Sequence, residues 1–175
     1  GNIDEFDGAY MMTRLVDYIV EHLSQQIKAG CDTVQVFDSW ASDLGEEHII
    51  PYCYEPTAQI VERLRALHPD VGIIVFPRLI GEEINNFSKY VNADCISLSD
   101  YMKTDWILKR MGSQCLQGGI PPQVLLSERK EEIIRGTVPM IRQMKDCAYV
   151  VNLAHGINKE TPVENVRFFI EIVKR

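Results

Sequence analysis

The stretch Val71-Gly72-Ile73-Ile74-Val75-Phe76 is an unbroken apolar run with the length of one strand. Strands covered on both faces have such runs, whereas a strand with one wet face alternates polar and apolar residues. Segments of helical period flank the run, Glu55–His68 before it and Glu82–Val91 after it. The region therefore predicts a buried strand between two helices, which is the repeating unit of a parallel α/β sheet.

The same alternation continues in both directions along the chain. Further strands are predicted over Thr33–Phe37, Asp94–Leu98, Gln114–Leu116 and Ala148–Leu153. Further helices are predicted over Gly8–Ala29, Lys103–Met111 and Ser127–Lys145, the last of these bent at Pro139. One helix followed by five strand–helix units predicts a parallel sheet with right-handed crossovers. An open doubly wound sheet and part of an eight-stranded (β/α)8 barrel both fit, and strand count does not choose between them.

The last helix has the clearest predicted start. Thr161 is placed to be its N-cap, Pro162 its first residue and Glu164 its third, which is the pattern of a capping box.

Length and charge limit the class of protein. A chain of 175 residues predicts a single domain, 1–175, and 46% hydrophobic residues exclude a disordered chain. Eighteen Lys and Arg against 25 Asp and Glu give a net charge of −7, which disfavours nucleic acid and an anionic membrane as partners. We expect neither a membrane span nor a signal peptide, since no apolar run is long enough and the start, Gly1–Glu5, is polar.

The cysteines predict a reducing compartment rather than a metal site. They are widely spaced, with no C-x-x-C pair and no Cys/His pair at zinc spacing. We therefore expect reduced core cysteines in a cytoplasmic protein that binds no metal. The five are Cys31, Cys53, Cys95, Cys115 and Cys147.

Polar residues follow the predicted strands at their carboxyl ends, where the sites of parallel α/β folds lie. Ser39 and Asp38 can simply cap a turn, and Arg78 can be a surface ion-pair residue. His155 is harder to explain structurally, because an imidazole after an apolar strand is costly to bury without a partner. The candidates are Asp38, Ser39, Arg78, Asp100, Gly118, Gly119 and His155.

Four sequence blocks resemble the bacterial uroporphyrinogen decarboxylases. The segment around Phe37-Asp38-Ser39-Trp40-Ala41 is similar to the FDSWAG block of that family. Val151–Ile157 and Glu160–Val166 together resemble its NLGHGI…ETPVENV block. Phe76-Pro77-Arg78 matches FP[KR], and Leu116-Gln117-Gly118 matches the start of LQGNLDP.

The resemblance implies a fold, an activity and a set of site residues. The fold is a (β/α)8 barrel, of which this chain is the C-terminal part, with about five parallel strands. The activity is removal of the four acetate carboxyl groups of uroporphyrinogen, giving coproporphyrinogen in heme biosynthesis, without a metal or organic cofactor. Ser39 and His155 match substrate-binding residues of the family. Asp38, Arg78 and Asp100 are secondary candidates beside them.

The chain also departs from the family pattern. It matches only the C-terminal half, so the RQAGRY block, the aspartate that binds pyrrole N–H groups and a tyrosine near the reacting acetate have no counterpart in it. The family's GNLDP sequence is replaced here by Gly118-Gly119-Ile120-Pro121-Pro122. Its GLDW sequence is replaced by Ser97–Tyr101, in which the Asp is displaced by one residue. We therefore expect no turnover from these residues alone, and pairing with a second copy or with an N-terminal half.

Two alternatives stay open. One is a non-catalytic half-barrel that binds a tetrapyrrole or a protein partner. The other is a methyltransferase of the same superfamily, which uses zinc held by His and Cys at strand ends. Phe76-Pro77-Arg78 stands where a ligand pair would be expected, and none of the cysteines lies beside a His.

Overall fold

The computed structural model describes residues 5–174, with side chains from residue 8 onward, so the polar start over Gly1–Asp4 lies outside the described residues. The helices are α1 (Glu5–Lys28), α2 (Glu46–Ile49), α3 (Glu55–Leu67), α4 (Ile84–Val91), α5 (Thr104–Met111), α6 (Lys130–Gln143) and α7 (Val163–Val173). The strands are β1 (Thr33–Asp38), β2 (Gly72–Pro77), β3 (Cys95–Leu98), β4 (Cys115–Gly118) and β5 (Tyr149–Val150). None of the helices in the described part is long and apolar enough to cross a membrane.

The alternation of strands and helices predicted from the sequence is confirmed. The strand order follows the chain, β1-β2-β3-β4-β5. A doubly wound sheet reverses its strand order at a switch point, whereas a barrel adds strands in sequence. The order therefore favours the barrel over the open sheet.

The chain divides into two compact units, one up to Cys95 and the other from Ile96 onward. The single domain predicted from length stays a prediction.

In the first unit, β1 and β2 form a parallel pair whose two faces differ in burial. Val34 lies opposite Ile73 and Val36 opposite Val75, and none of these four is more than 9% exposed. On the other face Phe37 lies opposite Phe76, and Phe37 is 64% exposed. The run beginning at Val71 is thus a strand as predicted, but one face of the pair is only partly covered.

The segment between β1 and α3 is helical, which the sequence pattern did not predict. A short 3-10 turn at Ala41–Asp43 and helix α2 lead into a π-helical turn, Ile50–Tyr54, which runs directly into α3. The Glu55 N–H donates to the Ile50 carbonyl five residues earlier, which is the wider π spacing. Pro51 and this extra residue break the 3.6-residue period, so the apolar spacing gives no helical signal.

In the second unit, β4 and β5 are parallel, with Leu116 opposite Tyr149. The predicted strand Ala148–Leu153 is wrong in extent, because ladder pairing stops at Val150 and resumes only as a single bridge from Leu153 to Ile120. A core cluster joins this region to α6 and α7. Its buried members are Ile120, Leu125, Ile133 and Phe169.

The predicted capping box is wrong. Helix α7 begins at Val163, and Pro162 is the extended N-cap residue without a side-chain cap. Thr161 Oγ1 is buried without a hydrogen-bond partner among the described residues. The Asn165 side chain ties down the helix start instead, donating to the carbonyls of Leu125 at 2.8 Å and Ser127 at 2.9 Å.

We predict that Gly118→Ala destabilises the chain by about 1–3 kcal/mol. Gly118 has φ +78°, and a Cβ there would lie 3.1 Å from the Leu153 carbonyl oxygen. The control is Gly45→Ala, where φ is −68° and no atom lies within 4 Å of an added Cβ. Urea unfolding of both variants measures the difference, and equal losses of unfolding free energy would contradict the account.

Candidate functional site

In the first unit, the carboxyl ends of β1 and β2 lie side by side. Asp38 is paired with Pro77, and the Arg78 N–H donates to the Asp38 carbonyl oxygen at 3.0 Å. Ser39 follows directly and is exposed, while Asp38 and Arg78 are half-buried. The structure thus brings together three of the predicted site residues at one edge.

Exposed aromatic side chains flank Ser39. Phe37 is 64% exposed and Trp40 is 73% exposed. The Phe37 ring meets Phe76 edge-on, with the ring centroids 6.3 Å apart. Large aromatic surfaces left open to water are typical of binding sites, so this edge offers apolar area beside a hydroxyl and a guanidinium.

Asp38 also interacts with a cysteine, a contact that residue spacing does not predict. Cys53 lies on the π-helical turn and is 1% exposed. Burial raises the pKa of the Cys53 thiol, and the Asp38 charge and a hydrogen bond to Asp38 raise it further. The thiol therefore stays protonated and donates to the Asp38 carboxylate, which restrains the end of β1.

In the second unit, the segments at the ends of β3 and β4 contain residues with positive φ, a conformation that glycine adopts easily and other residues only with strain. Asp100 is buried at 7% exposure, whereas Tyr101 is 84% exposed and has φ +67°. Gly118 and Gly119 have φ +78° and +88°, left-handed values that favour glycine, between β4 and the bridge at Ile120. The Tyr149 hydroxyl donates to the Gly118 carbonyl at 2.7 Å and ties this segment to β5.

His155 is half-buried, just after the bridge from Leu153 to Ile120. Its Nδ1 lies 2.8 Å from the Gly156 carbonyl oxygen. A carbonyl only accepts, so Nδ1 carries the proton and donates it. The other ring nitrogen, Nε2, is then an acceptor in the neutral ring and a donor in the imidazolium form. An imidazolium can bind a carboxylate through Nε2 without losing its orientation.

The predicted residues thus fall in two groups. In the first unit, Asp38 ends β1, and Ser39 and Arg78 directly follow β1 and β2. In the second unit, Asp100 follows β3, and His155 lies beyond the end of β5, after the bridge at Leu153. That Ser39 and His155 face one substrate stays a prediction. Among the side chains of residues 8–174, no group of three or more His, Cys, Asp or Glu is arranged to hold a metal ion. The zinc methyltransferase alternative therefore gains no support from the described side chains.

We predict that iodoacetamide modifies Cys31 in the folded chain at pH 8 and leaves Cys53 unmodified. Cys31 is exposed, whereas the raised pKa of Cys53 lowers its thiolate fraction at any given pH. Peptide mass spectrometry after timed quenching measures both rates. In the unfolded control both cysteines react alike, and equal rates in the folded chain would contradict the buried pairing with Asp38.

Comparison with known proteins places these features in a family. The family model described as "Uroporphyrinogen decarboxylase (URO-D)" matches residues 7–175. A uroporphyrinogen decarboxylase of Cereibacter sphaeroides is 31% identical over 166 residues, which are 94% of this chain and 48% of that protein. One of Orientia tsutsugamushi is 34% identical over 160 residues, 91% of this chain and 47% of that protein. One of Paracoccus denitrificans is 32% identical over 167 residues, 95% of this chain and 48% of that protein.

The chain spans about half the length of the curated relatives it matches. The family match covers both units and every predicted site residue. Together with strands in sequential order, it confirms the fold class expected from the sequence, part of a (β/α)8 barrel. This chain belongs to the uroporphyrinogen decarboxylase family.

Proposed function

We propose that this chain supplies the Ser39 and His155 part of a uroporphyrinogen decarboxylase site. The reaction removes carboxyl groups from the acetate side chains of uroporphyrinogen and gives coproporphyrinogen, as a carboxy-lyase of heme biosynthesis. One observation carries the proposal. Ser39, exposed at the end of β1, lies beside Arg78 and between two exposed aromatic residues, in a chain that matches the family over residues 7–175.

The side chains suit a substrate that carries many carboxylates. The Ser39 hydroxyl and the Arg78 guanidinium are both donors for carboxylate oxygens, and Arg binds them in a bidentate fork. Phe37 and Trp40 offer aromatic faces to a flat macrocycle. The Asp38 carboxylate repels such a substrate, so its role is to bind Cys53 and fix the strand end. His155 Nε2, protonated, binds a further carboxylate or orients the ring.

The chemistry needs more than these residues provide. Decarboxylation of a pyrrole acetate begins with protonation of a ring carbon, continues with loss of CO2 and ends with protonation of the resulting methylene. A cationic ring forms on the way, and an enzyme stabilises it with fixed negative charge or dipoles. Ser39 and His155 bind and orient but do not stabilise that ring. We therefore propose that the 175 residues bind substrate and do not complete turnover by themselves.

We also propose a partner, either a second copy or the other half of such a barrel. Two uncovered apolar surfaces of the first unit support this. Phe37 is 64% exposed, so one face of the β1–β2 pair is only partly covered. On α1, Met11, Leu15 and Tyr18 are 65%, 50% and 65% exposed and recur at four and three residues, so they share one helix face. Contiguous apolar surface of this kind marks protein contacts.

A second candidate is a tetrapyrrole-binding module without chemistry. The replaced loop, Gly118-Gly119-Ile120-Pro121-Pro122, favours it, because the family's Asn and Asp are missing there.

For either function we propose the cytoplasm as the compartment. None of the five cysteines, all of which lie in the described part of the chain, forms a disulfide, and this suits a reducing environment.

The test of the catalytic proposal supplies the N-terminal half of the Cereibacter sphaeroides relative in trans. We expect the mixture to decarboxylate uroporphyrinogen, and Ser39→Ala and His155→Ala each to lower the rate about 10- to 100-fold, the effect of losing one hydrogen bond to a charged group. Product is measured anaerobically by chromatography of the oxidised porphyrins. The matched controls are Ser113→Ala and His48→Ala, both exposed, with Ser113 before the amino end of β4 and His48 on α2.

A binding measurement separates the two candidate functions. Isothermal titration of the 175-residue chain with uroporphyrinogen is expected to show binding that His155→Ala weakens. Binding without activity in the mixture would favour the non-catalytic module. Absence of both binding and activity would contradict both proposals.

A further inference from the structure

The first unit contains a cavity of about 550 Å³ that the proposed decarboxylase site does not use. It lies between the segments that follow β1 and β2 and the π-helical turn. Residues lining it include Glu46, Ile50, Tyr54, Leu79 and Glu83. Its volume falls within the range of small-molecule sites, roughly 300–1,000 Å³.

The charge of this cavity is opposite to what a tetrapyrrole carboxylate needs. Glu46 and Glu83 line it, and no Lys, Arg or His does so within the described chain. A substrate with many carboxylates is repelled by such a lining, because like charges a few ångströms apart are unfavourable in a partly desolvated space. The cavity therefore selects a cation or a neutral molecule.

Glu83 is held in place by two donors. The Tyr54 hydroxyl lies 3.0 Å from Glu83 Oε2 and 3.1 Å from the Glu83 carbonyl oxygen. Asn86 Nδ2 donates to the same Oε2 at 3.2 Å. Tyr54 itself is only 4% exposed and is packed edge-on against Phe87. Burial raises the pKa of the Tyr54 phenol, so the hydroxyl stays protonated and remains a donor.

Glu83 Oε2 thus accepts two hydrogen bonds from the protein, one from Tyr54 and one from Asn86. Glu83 is exposed, so its carboxylate is accessible to a ligand. Because two hydrogen bonds already orient this carboxylate, it loses less side-chain freedom on binding an ammonium group, which lowers the entropic cost of binding.

The rest of the lining is largely aliphatic. Ile50 and Leu79 are 48% and 41% exposed although both are large and apolar. Leu79 also has φ +60°, a left-handed conformation that a leucine rarely adopts. Strained residues of this kind cluster at ligand clamps and other functional segments.

We propose that this cavity binds a small organic cation, a primary ammonium group carried on an aliphatic chain, with Glu83 as its anionic partner. The ammonium donates to Glu83, and the chain covers Ile50 and Leu79. The ligand is distinct in charge from uroporphyrinogen, so the proposal goes beyond the proposed decarboxylase function and does not depend on it.

The test uses three probes of equal length and different charge, hexylamine, hexan-1-ol and hexanoate, with the ¹⁵N-labelled chain. We expect hexylamine to shift the backbone amide resonances of Ala41, Ile50, Leu79 and Asn86 saturably, with a dissociation constant on the order of 1–10 mM. Hexan-1-ol is expected to bind about tenfold more weakly or worse, and hexanoate not at all. No shift in these amides at about 50 mM hexylamine would overturn the proposal.

A matched pair of variants tests the role of Glu83. Glu83→Gln is expected to weaken hexylamine binding about tenfold, because it removes the charge and keeps the shape. Glu82→Gln makes the same change one residue away, outside the lining, and is expected to stay within about twofold. Tyr54→Phe removes one donor that orients Glu83 and is expected to weaken binding about two- to fivefold.

Equal effects of Glu82→Gln and Glu83→Gln, or equal binding of hexan-1-ol and hexylamine, would overturn the proposal. The fold of each variant is checked by amide resonances distant from the cavity. If Glu83→Gln disturbs those distant resonances, the proposal is tested instead by comparing the binding of the three probes to the unmodified chain.

Discussion

The main-chain hydrogen bond from the Arg78 N–H to the Asp38 carbonyl, 3.0 Å long, closes the ladder between β1 and β2. Parallel strands carry their side chains in fixed register, so a slip of one residue reverses the face of every side chain. This register puts Ser39 and Arg78 just beyond neighbouring strand ends and buries Val36 and Val75 on the opposite face from Phe37. The candidate site thus depends on the same backbone bonds that align the core.

The first unit contains two regions of opposite charge preference, both formed by segments that follow β1 and β2. Arg78 and the Ser39 hydroxyl offer donors to anions, and the nearest carboxylate, Asp38, is engaged by the buried Cys53 thiol. The cavity beyond the π-helical turn presents Glu83, held by Tyr54 and Asn86, and suits cations. Burial of Cys53 and Tyr54 supports both arrangements, because each stays protonated and donates a hydrogen bond to a carboxylate.

Local pattern predicted most of the fold and only part of the site. The spacing of apolar residues along the chain predicted all five strands and most of the helices, because buried positions require apolar side chains. It failed at Ile50–Tyr54, where a π turn breaks the helical period. It also failed at Thr161, which makes no cap, because the Asn165 amide ties the helix start to the carbonyls of Leu125 and Ser127 instead. Ser39 and Arg78 were predictable because strand ends define an edge. The pairing of Cys53 with Asp38, and of Tyr54 with Glu83, joins residues 15 and 29 positions apart through packing that carries no periodic signal.

The central proposal is that Ser39 and His155 of this chain both bind uroporphyrinogen. Hydrogen–deuterium exchange with mass spectrometry, under anaerobic conditions with and without uroporphyrinogen, tests it most directly. The account predicts slower exchange on binding in two segments together, residues 38–41 and residues 152–156. Protection of only one of these segments, or of neither while the porphyrinogen is bound elsewhere, would contradict it.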